Sequence, residues 1–154
     1  MLTRRLFATA ALAGLTAMAG ISATMTSAFA QSKELVYLTP GLDLAFWRYL
    51  SKGIENVAKE GGYTYQALDS GSNAQTQLKN AKDAIARGVT GIIISPTDSS
   101  TAPAVLDLAK QANIPVVIAD IGTDGGDYVS FVISDNYQGA NGVGKALDEA
   151  MKAA

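Results

Sequence analysis

The chain has 154 residues, with 12 Lys and Arg against 14 Asp and Glu, and it contains neither His nor Cys. Thiol chemistry, disulfides, the usual zinc ligands and the commonest general base are therefore excluded. A slightly acidic balance without basic clusters argues against nucleic acid or an anionic membrane surface as a partner.

Residues 1–30 read as an export leader rather than as part of a fold. Arg4 and Arg5 supply a basic start, Leu6 to Ala23 is uncharged, and Ala28-Phe29-Ala30 supplies the small-x-small pattern of signal peptidase sites. Cleavage is predicted before Gln31. A membrane anchor is the alternative reading, because no charge occurs from Leu6 to Ser32, but the many Ala, Thr, Ser and Gly residues insert weakly. Thr3-Arg4-Arg5-Leu6-Phe7 also resembles a twin-arginine signal, so the export route stays open. With no Cys to carry a lipid, the expectation is a soluble protein of the periplasm. Its net charge falls to −4, since the leader holds two basic residues and no acidic one. The roughly 120 residues that remain suit one domain.

Leu35-Val36-Tyr37-Leu38 predicts a first strand. A helix follows, with Leu50, Ile54, Val57 and Ala58 at helical spacing and Gly61-Gly62 as its stop. Tyr63 to Leu68 is the second strand. The second helix carries Leu78, Ala81 and Ile85 on one face and ends at Gly88, a left-handed cap. Gly91 to Ser95 is a third strand, apolar enough to expect burial on both faces.

The third helix spans about Thr101 to Asn113, with Val105, Leu108, Ala109 and Ala112 inward. Pro103 is tolerated in its first turn, where N–H groups lack helical partners. Pro115 opens a fourth strand, Val116 to Ala119, and Tyr128 to Ile133 is a fifth. A last helix starts near Tyr137, with Ala140, Val143, Leu147, Ala150 and Met151 on one side. The alternation of strands and helices makes the fold class α/β, a mainly parallel, doubly wound sheet with flanking helices.

In such a sheet ligands collect at the carboxyl ends of the strands. Those ends are Thr39–Phe46, Asp69–Asn73, Pro96–Ser100 and Asp120–Thr123. They offer the carboxylates Asp43, Asp69, Asp98 and Asp120, hydroxyls, and the aromatics Phe46 and Trp47. Carboxylates accept hydrogen bonds from hydroxyls, and an aromatic face packs on the C–H face of a sugar ring. Without a basic residue among them, the set suits a neutral polyhydroxy ligand. The candidate ligand-binding residues are Asp43, Phe46, Trp47, Asp98 and Asp120. Asp98 equally suits a helix cap with Ser99 and Ser100, and Asp69 a turn. Of Phe46 and Trp47, only one easily faces the core. Asp120 ends a buried strand where no cap is needed.

Gly139 to Lys145 fits the G-x-x-x-x-G-K phosphate-binding pattern, but Ala146 stands where a Ser or Thr must hold magnesium. Gly139 also falls inside the predicted last helix, where its N–H is not free for phosphate. Paired carboxylates such as Asp98 and Asp120 allow acid–base work. With no His, Cys or nucleophile elbow, however, binding is favoured over catalysis, and no cofactor or metal is implied.

From Leu35 to about Ala150 the chain resembles the periplasmic sugar-binding proteins of ABC importers, in the ribose/galactose-binding group. The resemblance rests on Phe46-Trp47, Gly53, Ala58 to Tyr63, Asp69-Ser70, Asn73, Gln77, Gly88-Val89, Ile94 to Asp98, Gln111 to Val116, Asp120 and Ser134-Asp135-Asn136, taken as an ordered set. It implies the first lobe of a type I periplasmic binding protein, a fold of two lobes closing on a sugar. Phe46 and Trp47 then look like ring-sandwiching aromatics, and Asp120 like the carboxylate that binds ring hydroxyls. Ser134-Asp135-Asn136 resembles a hinge crossing. Residues 31–134 would be the sugar-binding lobe, and 135–154 the crossing and first helix of a second lobe that is missing.

The implied protein is a secreted receptor for a carbohydrate or polyol, truncated here, that delivers its ligand to an ABC transporter permease. Ile121 stands where that group usually has Arg, and Thr39 to Ala45 lacks its Asn and Pro. Both departures favour a less polar or acyclic polyol. The alternatives are a single-lobe α/β enzyme or nucleotide binder, or an inactive gene fragment.

Overall fold

In the computed structural model, residues 33–153 are described; the leader and its cleavage site lie outside them. The elements run β1 (Glu34–Thr39), α1 (Ala45–Glu60), β2 (Thr64–Asp69), α2 (Ala74–Ala86), β3 (Gly91–Ile94), α3 (Ala102–Gln111), β4 (Val116–Ala119), β5 (Ser130–Val132) and α4 (Asn136–Ala153). The strands form one sheet in the order β2-β1-β3-β4-β5, and every pairing is parallel. All carboxyl ends therefore meet at one edge.

Chain direction across the sheet decides which face each helix covers. Going from β1 to β2 moves one way and the later steps move the other way, so right-handed crossovers send α1 to one face and α2 with α3 to the opposite one. Val36, Leu38, Ile92, Ile94, Val116 and Ile118 point toward α2 and α3. There they pack with Ala81, Ala84, Val105, Leu106 and Ala109 in a single buried cluster.

The helix ends follow local chemistry. Asn73 Oδ1 accepts the Thr76 N–H at 2.9 Å and caps α2. Gly62 and Gly88 take φ of +73° and +69° just after α1 and α2, positions that cost glycine no Cβ clash.

Several expectations on burial are corrected. Ala112 and Val57 are exposed, whereas Ala102 and Leu106 are buried on α3. On α2 the expected face holds, with Ala81 buried and the half-buried Leu78 and Ile85 packed against the core, and Gln77 and Ala84 are buried beside it. The third strand is not covered on both faces: Ile93 is half-buried. The cause is topological, because among the described helices α1 alone serves that face. β5 is shorter than the Tyr128–Ile133 expected, and both it and α4 are exposed along their whole length. Gly139 to Lys145 lies within α4, as its composition implied.

Candidate functional site

The first turn of α1 and the ends of β4 and β5 enclose a hollow of about 130 Å³, lined by Phe46, Leu50, Ala119, Asp120, Val132, Ile133 and Ser134. Its volume is well below the roughly 300–1,000 Å³ of small-molecule pockets, so it forms one wall of a site rather than an enclosure.

Asp120 stands where β4 ends. Its backbone is left-handed, φ +68°, which is uncommon for a residue with a side chain. Two neighbours over-determine this bend: the Asp120 N–H donates to the Val132 carbonyl at 2.8 Å, and the Ile121 N–H donates to Ala119 at 2.9 Å. Among the described residues no hydrogen bond or ion pair engages the Asp120 carboxylate. It is left available at the sheet edge.

The other carboxylates differ in this respect. Asp98 Oδ1 accepts both the Ser100 hydroxyl (2.5 Å) and the Ser100 N–H (2.8 Å), and these bonds hold its carboxyl below the usual range. It closes the turn that enters α3. Asp69 accepts the N–H groups of Gly71 (2.8 Å) and Leu42 (3.0 Å), tying the β1–α1 loop to the end of β2. Asp43 is exposed on that same loop, whose Leu42 and Asp43 carbonyls accept from Arg48 Nη1 at 2.9 and 2.6 Å. Asp43 and Asp98 do not line the hollow.

Of the two aromatics, Phe46 is 50% exposed and lines the hollow, while Trp47 is 8% exposed. Their rings meet edge to face, with centroids 4.8 Å apart and planes at 80°. Trp47 buttresses Phe46 from below. The structure thus gathers Phe46 and Asp120, sets Trp47 behind them, and leaves Asp43 and Asp98 on neighbouring loops.

Beneath the strand ends lies a polar layer that the sequence reading missed. Tyr37 and Ser95 are both fully buried, and their hydroxyls are 2.9 Å apart. Burial raises the Tyr37 phenol above its ordinary value, partly opposed by the Ser95 bond, with the nearby negative charge of Asp120 adding to the rise. Gln77 reaches from α2 to the β3–α3 loop: its Nε2 donates to the Ser95 carbonyl at 2.9 Å and its Oε1 accepts the Thr97 N–H at 3.0 Å. Among the described residues, Thr39 Oγ1 and Ser70 Oγ are buried at the same edge without a hydrogen-bond partner. A glutamine on a face otherwise read as Leu and Ala is the one signal that could have disclosed this layer.

The sequence and the fold both match known proteins. Residues 35–154 match the family model described as a periplasmic binding protein domain. The ribose import binding protein of Escherichia coli is 36% identical over 129 residues, which covers 83% of this chain and 43% of that protein. The D-apiose import binding protein of Paraburkholderia graminis is 32% identical over 124 residues, 79% of this chain and 40% of the relative. Among solved structures, the periplasmic binding protein of the Shewanella sp. ANA-3 arabinose ABC transporter superposes with a TM-score of 0.70 at 26% identity, over 77% of this chain and 40% of that one. The chain therefore spans less than half the length of the curated relatives it matches.

Proposed function

Because this chain belongs to the periplasmic binding protein domain family, we propose that it is a receptor lobe for a neutral sugar or polyol in the periplasm, feeding an ABC transporter through its membrane permease. Residues 31–134 form the ligand-binding lobe, and 135–154 form the crossing to, and first helix of, a second lobe. The role is capture and delivery, not catalysis. Residues 1–30 act as the export leader, cleaved before Gln31.

The observation that carries this reading is the pairing of a carboxylate without a partner, Asp120, with an exposed ring, Phe46, in one hollow at the carboxyl edge of a parallel sheet. The carboxylate accepts ligand hydroxyls and the ring packs on the C–H face. Asp43, on the loop that Arg48 and Asp69 steady, and Asp98, beside α3, act at the rim. Trp47 holds Phe46 in place. Tyr37, Gln77 and Ser95 keep the strand ends rigid beneath them.

A micromolar two-lobed receptor has about −8 kcal/mol of binding free energy, and half of that corresponds to roughly millimolar affinity. Titrating this chain with ribose, arabinose, galactose and myo-inositol should therefore shift the amide resonances of Phe46, Asp120 and Ser134 with a Kd near or above millimolar. Asp120→Ala should remove the shifts, since a bond to a charged acceptor contributes about 1.5–3 kcal/mol. Shifts confined to other residues would place the site elsewhere. A micromolar isotherm would mean that one lobe makes a complete site.

A further inference from the structure

The carboxyl edge of the sheet changes character from one side to the other, and the change falls beside the hollow. Thr39 of β1 lies opposite Asp69 of β2, and Ala119 of β4 lies opposite Val132 of β5. One residue past the last β1–β3 and β3–β4 pairs, Ser95 takes its place between Thr39 and Ala119. Its N–H still donates to the Leu38 carbonyl there, at 3.0 Å. Side chains in register across a parallel sheet share a face, so Asp69, Thr39, Ser95, Ala119 and Val132 form one row on the side of α1. The first three are polar. The last two are apolar, and they line the hollow together with Phe46 and Leu50 of α1.

Ala119 is the most buried residue of that lining, 6% exposed. The polar groups around its methyl are already engaged. The Ser95 hydroxyl, next along the row, pairs with Tyr37 at 2.9 Å. The Ala119 carbonyl accepts the Ile121 N–H, and the Val132 carbonyl accepts the Asp120 N–H. Strand alternation would send the next side chain, Asp120, to the other face. Its left-handed backbone ends the strand instead, and Asp120 lines the same hollow as Ala119.

We infer that Ala119 is a specificity-determining residue, selecting a ligand whose inner edge is C–H or methyl: a deoxy sugar or a deoxy polyol. The inference rests on the sugar or polyol reading above. The remaining hydroxyls of such a ligand donate to the Asp120 carboxylate, while its C–H edge packs on the alanine methyl and on Phe46. A hydroxyl at that edge would lose its hydration and gain no partner, which weakens binding. Apolar surfaces reject an added hydroxyl by up to about 100-fold. This hollow is open on one side, so about tenfold is expected here.

Titrations of the full chain, followed by the amides of Ala119 and Asp120, should compare each sugar with its deoxy partner: D-galactose with D-fucose, D-glucose with 2-deoxy-D-glucose, D-ribose with 2-deoxy-D-ribose. In at least one pair the deoxy sugar should bind about tenfold tighter. Ala119→Ser nearly keeps the size of the side chain and adds a hydroxyl, so in that pair it should reduce or reverse the preference. Ala119→Val fills the hollow and should abolish the shifts with both members, at native Trp47 fluorescence. Deoxy sugars that all bind more weakly than their hydroxylated partners would overturn the inference and leave the receptor reading intact. So would a preference that Ala119→Ser does not change, or an Ala119→Val chain that binds as the parent does. If no sugar of either kind shifts these amides, the receptor reading fails and this inference fails with it.

Discussion

Gln77→Met tests whether a single buried amide holds the β3–α3 loop against the sheet. Gln77 is 1% exposed and satisfies two backbone groups, the Ser95 carbonyl at 2.9 Å and the Thr97 N–H at 3.0 Å. Methionine keeps the length and helix preference of the side chain but bonds to neither. A buried polar group stripped of its partner costs about 1–3 kcal/mol, so the pair loses about 2–6 kcal/mol. Burying a thioether in place of an amide returns about 1 kcal/mol. The expected net loss is about 3 kcal/mol. With an unfolding entropy near 2.1 cal/mol/K per residue over about 120 residues, that lowers Tm by about 12 °C. Urea unfolding followed by the fluorescence of Trp47, the one tryptophan, should show a lower midpoint at unchanged slope. A loss under about 1 kcal/mol would refute the clamp.

Trp47→Ala should cost about 3–5 kcal/mol of stability, because the indole is nearly buried. Phe46→Ala should cost far less and weaken ligand shifts instead; equal losses in thermal unfolding would contradict the assigned orientations. Burial pushes the Tyr65 phenol up to about 12, partly countered by its 2.9 Å bond with Ser51. The neutral phenol thus contributes stability that is complete below the unfolded value near 10 and is lost as pH rises from there toward 12. Tyr65→Phe should flatten this alkaline decline in urea midpoints. Gly88→Ala meets no atom within 4 Å but forces a Cβ onto a φ of +69°, so about 1 kcal/mol should be lost; unchanged stability in urea would show that the helix stop tolerates a side chain.

Residue order alone determined the α/β class, the parallel sheet and the edge at which its loops gather. Each of these follows from local signals: apolar runs such as Val116–Ala119, the stops at Gly62 and Gly88, and Pro115 before a strand. That Gly139–Lys145 lies inside a helix, which consumes the N–H groups a phosphate needs, was equally legible. Periodicity reports a tendency to be buried, not the partner that does the burying. Phe46 and Trp47 are adjacent on a helix, about 100° apart, and only the packing of α1 decided which ring went inward. Asp69, Asp98 and Asp120 look alike in the chain. Whether each carboxylate is occupied depends on N–H groups brought by other loops or by a local turn. Ile93 and Val117 read as core, yet they stay half exposed because crossover handedness leaves α1 alone on their face. Gln77 carries no apolar signal at all, and its place beneath the site exists only once α2 lies across the end of β3, where two backbone groups cut off from water need a partner.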